Sequence, residues 1–217
     1  MQTTFPRLML DHASRRPEAP ALREKVFGIW QTLNWKDLAA MVRAMACGLA
    51  QAGLQRGEHV VVIGENRPRL YASMLAAQSL GAIPVPLYQD AAVTEYAFPV
   101  QNAEVRFAIV EDQEQVDKLL ELRETCSGLV RIWYDEPRGL RNYEEPGLAS
   151  LDDLLGAGQA WDTAHAGFFD AQVGQAQPDD VAAMFFTSGT TGNPTGVLHT
   201  HRTLLDRASA GARFDKL

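Results

Sequence analysis

The stretch His59-Val-Val-Val-Ile-Gly-Glu-Asn-Arg-Pro68 decides the fold class of this chain. A short apolar run of this kind, rich in β-branched residues, is typical of a parallel strand buried on both faces. The glycine after it ends the strand, and a proline favours the first turn of a helix. A helical pattern then runs from Arg69 to Leu80. The stretch therefore predicts one strand followed by one helix.

The same alternation of strand and helix repeats around that unit. Apolar residues at helical spacing predict a helix from Asn34 to Gly53, with Asn34 as its N-cap. Repeated strand–helix units across 34–134 predict an α/β fold, with a mostly parallel sheet and helices on both of its faces. The other predicted elements are an extended segment over 82–87, helices over 94–101 and 113–126, and strands over 105–110 and 129–134.

Three further segments complete the predicted organisation. Residues 21–25 and 28–32 are predicted to form a short β-hairpin. Proline, glycine and acidic residues dominate over 135–177, where we expect a surface excursion with short helices near 150–155 and across 162–169. The excursion should return the chain to the sheet at Val181. A strand, a loop and a helix are then expected over 181–207.

The loop after the last predicted strand carries the strongest functional signal. It reads Thr187-Ser-Gly-Thr-Thr-Gly-Asn-Pro-Thr-Gly196 and leads to Thr200, a suitable N-cap for a helix that begins at His201. Glycines allow close backbone approach, backbone N–H groups converge on anions, and hydroxyls donate to phosphate oxygens. We interpret the segment as a phosphate-binding loop, although a surface turn can have a similar composition. It is not of the Walker type, which ends in Gly-Lys-Ser/Thr.

Composition and charge narrow the class of protein. The formal net charge of −7 and a pI near 5.2 argue against a nucleic-acid-binding protein, which needs a basic face. No apolar run is long enough to span a bilayer, and the first residues lack the pattern of a signal peptide. Cys47 and Cys126 have no metal-ligand spacing. We therefore expect two buried, reduced thiols in a cytoplasmic protein.

Two histidines and a group of acidic residues are weaker candidates. His199 and His201 would share a face of an extended segment, but no third metal ligand lies nearby in the sequence, so we do not favour a metal site. We expect these histidines, with Arg202, to border the phosphate loop. The acidic residues over 111–114 are interpreted as helix-start carboxylates, which the helix dipole favours.

The loop resembles the signature of the AMP-forming adenylate ligases, Thr-Ser-Gly-Thr-Thr-Gly-x-Pro-Lys-Gly. Nine of its ten positions agree in type, counting the free position, and the one departure is Thr195, where the family has lysine. Segments 64–68 and 81–86 look like the family's connecting segments, and 131–140 is similar to long-chain acyl-CoA synthetases. The resemblance implies that residues 1–217 are an incomplete N-terminal AMP-binding domain.

The resemblance also implies a two-step reaction. The carboxylate of a fatty acid attacks the α-phosphate of Mg·ATP to give an acyl-adenylate and pyrophosphate, and coenzyme A then takes the acyl group. By the same resemblance, the Thr187 hydroxyl helps to hold Mg²⁺. ATP, Mg²⁺, a fatty acid and coenzyme A are the ligands implied for the complete enzyme. The residues implied to bind the phosphates are Thr187, Ser188, Gly189, Thr190, Thr191, Gly192 and Thr195.

No catalytic residue is expected within this chain, because the family's adenine-contacting, ribose-binding, hinge and C-terminal lysine motifs are missing from 1–217. We therefore expect weak ATP binding and no completed reaction. Two alternatives stay open: a catalytically inactive nucleotide-binding or subunit-contact module, and an unrelated ATP-binding transferase with a similar loop. A homodimer and a peripheral contact with the inner face of the membrane are also left open.

Overall fold

The computed structural model describes residues 2–187 and 194–215, and helices and strands alternate along it from α2 to β6. No helix in this described part is long and apolar enough to cross a lipid bilayer. The elements are α1 (Phe5–Arg15), β1 (Pro20–Val26), β2 (Ile29–Asn34), α2 (Trp35–Gln51), β3 (His59–Ile63), α3 (Pro68–Ser79), β4 (Ile83–Leu87), α4 (Val93–Asn102), β5 (Phe107–Val110), α5 (Gln113–Arg123), β6 (Arg131–Tyr134), β7 (Leu148–Ser150), α6 (Leu151–Ala164), α7 (Phe168–Gln175), β8 (Val181–Thr187), β9 (Thr195–Thr200) and α8 (His201–Asp215).

A five-stranded parallel sheet forms the centre of the fold. Its strand order is β4-β3-β5-β6-β7, and each neighbouring pair runs parallel. Val61 lies opposite Val85 of β4 on one side and opposite Ala108 of β5 on the other. The predicted α/β class with a mostly parallel sheet is therefore confirmed.

Two hydrophobic cores cover the two faces of this sheet. Successive residues of a strand point to opposite faces. Accordingly, Phe107 and Ile109 of β5 join the core formed with α2, α3 and α6, whereas Ala108 and Val110 join the core formed with α4 and α5. The prediction of helices on both faces is confirmed, and it explains why the strand residues are apolar without alternation.

α2 begins and ends where the sequence predicts. The side chain of Asn34 accepts a 2.8 Å hydrogen bond from the backbone N–H of Asp37. At the other end Gly53 has a φ of 96°, and the N–H of Leu54 donates to the carbonyl of Leu49. This bond across the last turn is the Schellman arrangement, which needs a residue in the left-handed region and so favours glycine.

The prediction of a surface excursion over 135–177 is wrong for its second half. β7 pairs with β6 and extends the parallel sheet. α6 and α7 both contact α2, and Leu154 and Phe169 are buried in the same core as that helix. The predicted short helix near residue 150 begins at Leu151, where Ser150 caps α6 by accepting a bond from the N–H of Asp153, and it continues to Ala164.

Small residues in α6 explain why this segment resembles a loop in composition. Gly158 lies against the backbone of Ala44 in α2, so closely that a Cβ atom at this position would collide with the Ala44 carbonyl oxygen. Gly48 of α2 likewise lies against the backbone of Leu154. The glycines here permit close contact between two helices and do not mark turns.

Two antiparallel hairpins lie outside the parallel sheet. The first, β1–β2, is the predicted one, and Val26 pairs with Ile29 across its two-residue turn. The second differs from the prediction: β8 pairs with β9 in a separate two-stranded sheet, so the chain does not return to the parallel sheet at Val181. β8 instead lies beside β4. Neither β9 nor α1 is anticipated by the apolar pattern.

Candidate phosphate-binding site

The predicted phosphate loop is the segment that joins β8 to β9. The ladder between the two strands runs from Val181 opposite Thr200 to Thr187 opposite Thr195. The strands have seven and six residues, and Thr187 and Thr195 are the last described pair before the loop. The predicted site residues Ser188, Gly189, Thr190, Thr191 and Gly192 lie outside the described residues.

Thr187 and Thr195 are the predicted site residues that the structure brings together. Residues directly opposite each other in an antiparallel pair place their side chains on the same face. Both threonines are exposed. The Thr187 Oγ1 donates a hydrogen bond of 3.5 Å to the Thr195 carbonyl, which is at the upper limit for such a bond. The hydroxyl is therefore only weakly engaged within the chain.

A buried glutamine ties the hairpin to the parallel part of the fold. The Gln78 side chain on α3 donates a 2.8 Å hydrogen bond to the carbonyl of Ala182 in β8. Gln78 is buried, and Ala182 has no partner in the β8–β9 ladder because the register shifts between Val181 and Ala183. The glutamine therefore satisfies the Ala182 carbonyl. Sequence reasoning misses this residue, although a polar side chain on the apolar face of a predicted helix is the signal that could have revealed it.

Aromatic packing on the other face of β8 also positions the hairpin. Met184 and Phe186 pack into the core shared with α4 and α5. The Phe186 ring lies edge-on to Phe98 of α4, with 6.3 Å between the ring centroids. Because Phe186 precedes Thr187 directly, this contact places the start of the loop relative to the parallel sheet.

His201 does not border the phosphate loop, contrary to the prediction. It is 2% exposed, at the end of the hairpin opposite to the loop, and its Nδ1 accepts a 3.3 Å hydrogen bond from the N–H of Phe5. Burial lowers the pKa of His201 to about 4, which outweighs the opposite effect of Asp180. The imidazole is therefore neutral near pH 7 and holds the start of α1.

Arg202 and His199 also lie away from the loop. The Arg202 guanidinium forms two hydrogen bonds with the Asp179 carboxylate, at 2.6 and 2.8 Å. That pairing lowers the pKa of Asp179 and raises the pKa of Arg202. His199 packs its ring edge-on against Phe185, with 5.4 Å between centroids. The sequence predicted that these residues border the loop because they follow it closely along the chain, whereas the hairpin places them at its far end.

The helix after the hairpin begins as predicted. The N–H of Thr203 donates to the Thr200 hydroxyl at 3.2 Å, so Thr200 caps α8.

An apolar groove of about 370 Å³ opens beside β8. Ala183 and Phe185 line it, and Thr187 lies two residues farther along the same face of the strand. Its other walls include Met9 of α1 and Leu38 of α2. An apolar surface thus approaches the base of the phosphate loop.

A second crevice, between the carboxyl ends of β3 and β5, is filled by the chain itself. The strand order reverses here, and open α/β sheets often bind ligands at such a point. Only about 10 Å³ of free volume remains. The Arg67 Nε lies 2.7 Å from the Glu111 carboxylate, and an Arg69 nitrogen lies 3.1 Å from Asp135. The hairpin loop is therefore the better candidate site.

The acidic residues over 111–114 have two roles: two of them stabilise the start of α5, and the third forms an ion pair. Asp112 caps α5 by accepting a bond from the N–H of Gln115, and Glu114 lies in the first helical turn, as predicted. Glu111 instead pairs with Arg67 and accepts a 2.6 Å bond from the N–H of Glu65. Within residues 2–187 and 194–215, no three or more histidine, cysteine or acidic side chains are grouped to hold a metal ion.

The sequence matches the AMP-binding enzyme family model over residues 9–216, which includes the hairpin and its loop. This chain belongs to that family. The structure adds that its fold is the one found in the N-terminal part of AMP-forming ligases, since it resembles the N-terminal domain of FACL13 from Mycobacterium tuberculosis with a TM-score of 0.70. That match covers 98% of this chain and 48% of the other, at 20% identity.

Two of the similar proteins are long-chain-fatty-acid–CoA ligases. The chain is 26% identical over 206 residues to the long-chain-fatty-acid–CoA ligase FadD15 of Mycobacterium bovis, covering 95% of this chain and 32% of the relative. It is 28% identical over 211 residues to the long-chain-fatty-acid–CoA ligase ACSBG2 of Mus musculus, covering 95% of this chain and 30% of the relative. The chain thus spans about a third of the length of the curated relatives it matches.

A further solved structure supports the fold. The anthranilate CoA ligase AuaEII, in complex with anthranoyl-AMP, superposes with a TM-score of 0.79 at 19% identity, over 96% of this chain and 36% of the other. At this level of identity the likeness shows the fold alone.

Proposed function

We propose that this chain is the phosphate-binding part of an ATP-dependent acyl-CoA ligase, and that its substrate is a fatty acid of medium to long chain. The observation that carries the proposal is the β8–β9 hairpin, which places Thr187 and Thr195 side by side at the base of the signature loop. The similarity to FadD15 and ACSBG2, both long-chain-fatty-acid–CoA ligases, supports a fatty acid and coenzyme A as substrates.

The residues at the hairpin end suit a magnesium-bound phosphate chain. Mg²⁺ prefers oxygen ligands and usually takes few of them from the protein, with phosphates and water completing its shell. The exposed and weakly engaged Thr187 hydroxyl fits that requirement. When bound, the ion would neutralise charge on the phosphates. The chain itself contributes positioning, which is the main work of the protein in phosphoryl chemistry.

Thr195 makes this site weaker than the family signature implies. A lysine at 195 would lie beside Thr187 and bring a fixed positive charge to the phosphates. At an effective dielectric constant near 20, a charge about 4 Å from a phosphate contributes roughly 4 kcal/mol before desolvation. A threonine hydroxyl contributes only about 0.5–1.5 kcal/mol as a net hydrogen bond. We therefore propose that this chain binds ATP weakly and does not complete the reaction.

Calorimetry with Mg·ATP tests this proposal directly. The wild-type chain should give little heat, and Thr195→Lys should tighten binding at least about tenfold. Thr187→Ala in the Thr195→Lys background should remove much of that gain. Thr163→Ala, an exposed threonine on α6, is the matched control and should change nothing. Binding of ATP at low micromolar concentration by the wild-type chain would contradict this account of the loop.

Pyrophosphate exchange separates a ligase from the alternative of an inactive module. Exchange should be absent in residues 1–217 and present, with octanoate or palmitate, in a chain extended to the length of the relatives. In that extended chain Thr195→Lys should raise the exchange rate more than the affinity for ATP, because charge develops on the phosphates during transfer. Activity in neither chain would favour a nucleotide-binding or subunit-contact module. Leu198 on β9 is an exposed apolar side chain, and it is the observation that supports the subunit-contact alternative.

A further inference from the structure

The tip of the β1–β2 hairpin exposes three large apolar side chains. Phe27, Ile29 and Trp30 are 98, 66 and 62% exposed. They lie within four consecutive residues at a turn that joins only two strands. Single exposed apolar residues are ordinary on a protein surface, but a cluster of aromatic residues at a protruding tip indicates a contact surface.

The backbone conformation of the tip does not favour phenylalanine at position 27. Phe27 has a φ of 47° and Gly28 a φ of 82°, the signature of a type I′ turn, in which asparagine followed by glycine is preferred. A bulky residue in the left-handed region is an outlier. The Phe27 ring gains no burial in return within the described residues, because it is almost wholly in solvent. Neither turn formation nor packing accounts for this side chain.

Basic residues share one face of the hairpin with the tryptophan. Lys25 lies directly opposite Trp30, and its Nζ is 5.9 Å from the centroid of the indole ring. Arg23 lies two residues earlier and therefore on the same face. Among residues 2–187 and 194–215, neither cation forms an ion pair with a carboxylate. Glu24 points to the opposite face, so the tip combines aromatic rings with free positive charge.

We propose that this hairpin tip, residues 23–30, inserts into the headgroup region of a membrane that contains anionic lipids. A convex tip with a projecting phenylalanine suits a fluid interface better than a shaped protein pocket. Tryptophan is favoured at the boundary of headgroups and hydrocarbon, and lysine and arginine are attracted to an anionic surface. Because the chain carries a net charge of −7, attraction to anionic lipid must be local to this tip. The contact requires neither ATP nor the phosphate loop.

Sedimentation with lipid vesicles tests the proposal on the 217-residue chain. We expect binding to vesicles of phosphatidylglycerol and phosphatidylcholine in equal parts, weaker binding to phosphatidylcholine alone, and loss of the difference at high salt. Phe27→Asn should weaken binding at least about tenfold, since it removes one aromatic side chain from the interface. Lys25→Gln should weaken it about fivefold on the anionic vesicles only.

Stability measurements separate this effect from misfolding. Asparagine suits the Phe27 backbone conformation, so Phe27→Asn should unfold at the same or a higher temperature than the wild type while binding vesicles less. Tyr88→Asn removes an aromatic residue that is 84% exposed after β4 and should leave vesicle binding unchanged. The proposal would be overturned if the wild-type chain bound neither kind of vesicle. That result is expected if the tip contacts another polypeptide instead. Equal binding by Phe27→Asn would also overturn the proposal.

Discussion

Gln78 on α3 and Ala182 on β8 are joined by a buried hydrogen bond of 2.8 Å, from the side-chain amide to the backbone carbonyl. The two residues are 104 positions apart in the sequence. The bond connects the parallel part of the fold with the hairpin that carries the candidate phosphate loop. It therefore positions the strand that leads into that loop and helps to hold the hairpin on α3.

Replacement of Gln78 by methionine should destabilise the chain. The shape of the side chain is nearly kept, but the Ala182 carbonyl loses its partner in a buried place, which costs about 1–3 kcal/mol. Urea denaturation should show a lower midpoint with an unchanged slope. Gln51→Met, at an exposed position near the end of α2, is the control and should have little effect. Equal midpoints for Gln78→Met and the wild type would contradict the importance of this bond.

Two glycines of α6 should respond to alanine in opposite directions. A Cβ atom at Gly158 would collide with the Ala44 carbonyl of α2, so Gly158→Ala should lower the free energy of unfolding by about 1–3 kcal/mol. Gly156 has open space around its Cα, and Gly156→Ala should raise stability by up to about 1 kcal/mol through helix propensity. Thermal unfolding of the pair measures both effects. The same sign for both variants would show that α6 does not pack against α2 as described.

His201 should make stability depend on pH below neutrality. Its pKa falls from 6.5 to about 4 on burial, so the unfolded chain binds more protons than the folded one between these values. The stabilisation is complete above about pH 6.5 and is lost as the pH falls toward 4, by up to about 3 kcal/mol.

Comparison of unfolding curves at pH 7 and pH 4.5 isolates this contribution. His201→Asn keeps an oxygen that can accept the bond from the Phe5 N–H but does not titrate, so it should lose less stability than the wild type on acidification. His59, whose pKa is also lowered by burial, leaves a smaller dependence of the same sign in both proteins. His199→Asn is the matched control. An identical loss in His201→Asn and the wild type would show that His201 is not the group responsible.

Cys47 should be unreactive in the folded chain. Burial within α2, with a smaller effect from Asp162, raises the pKa of its thiol to about 12, so almost none of it is thiolate at pH 8. In the Cys126→Ser variant, labelling by a thiol reagent should therefore follow the rate of unfolding. Adding Ser14→Cys to that variant introduces an exposed thiol that should react within minutes. Rapid labelling of Cys47 under native conditions would mean that α2 opens far more readily than its burial implies.

Local patterns predicted the parallel sheet and its helices closely. β3 spans the predicted residues, and both ends of α2 follow from Asn34 and Gly53. These features depend on neighbours in the sequence: an apolar run, a capping side chain and a glycine with positive φ. The segment over 148–175 was not predicted as core, because glycines in a helix look like loop composition until the partner helix is known. The pairing of β8 with β9 was also missed. The polar residues of β9 obscure the alternation of apolar and polar side chains that indicates a strand.

The candidate site shows the same division. The sequence alone identifies the phosphate-loop signature, its departure at Thr195 and the family, because these depend on the order of residue types along one short segment. Only the tertiary structure shows that Thr187 and Thr195 face each other, that Gln78 anchors their hairpin, and that His201 and Arg202 lie at its far end. Distance along the chain does not determine distance in space once a strand of six residues separates two positions. Burial, which decides the charge of His201, depends on α1, a helix that is remote from it in the sequence.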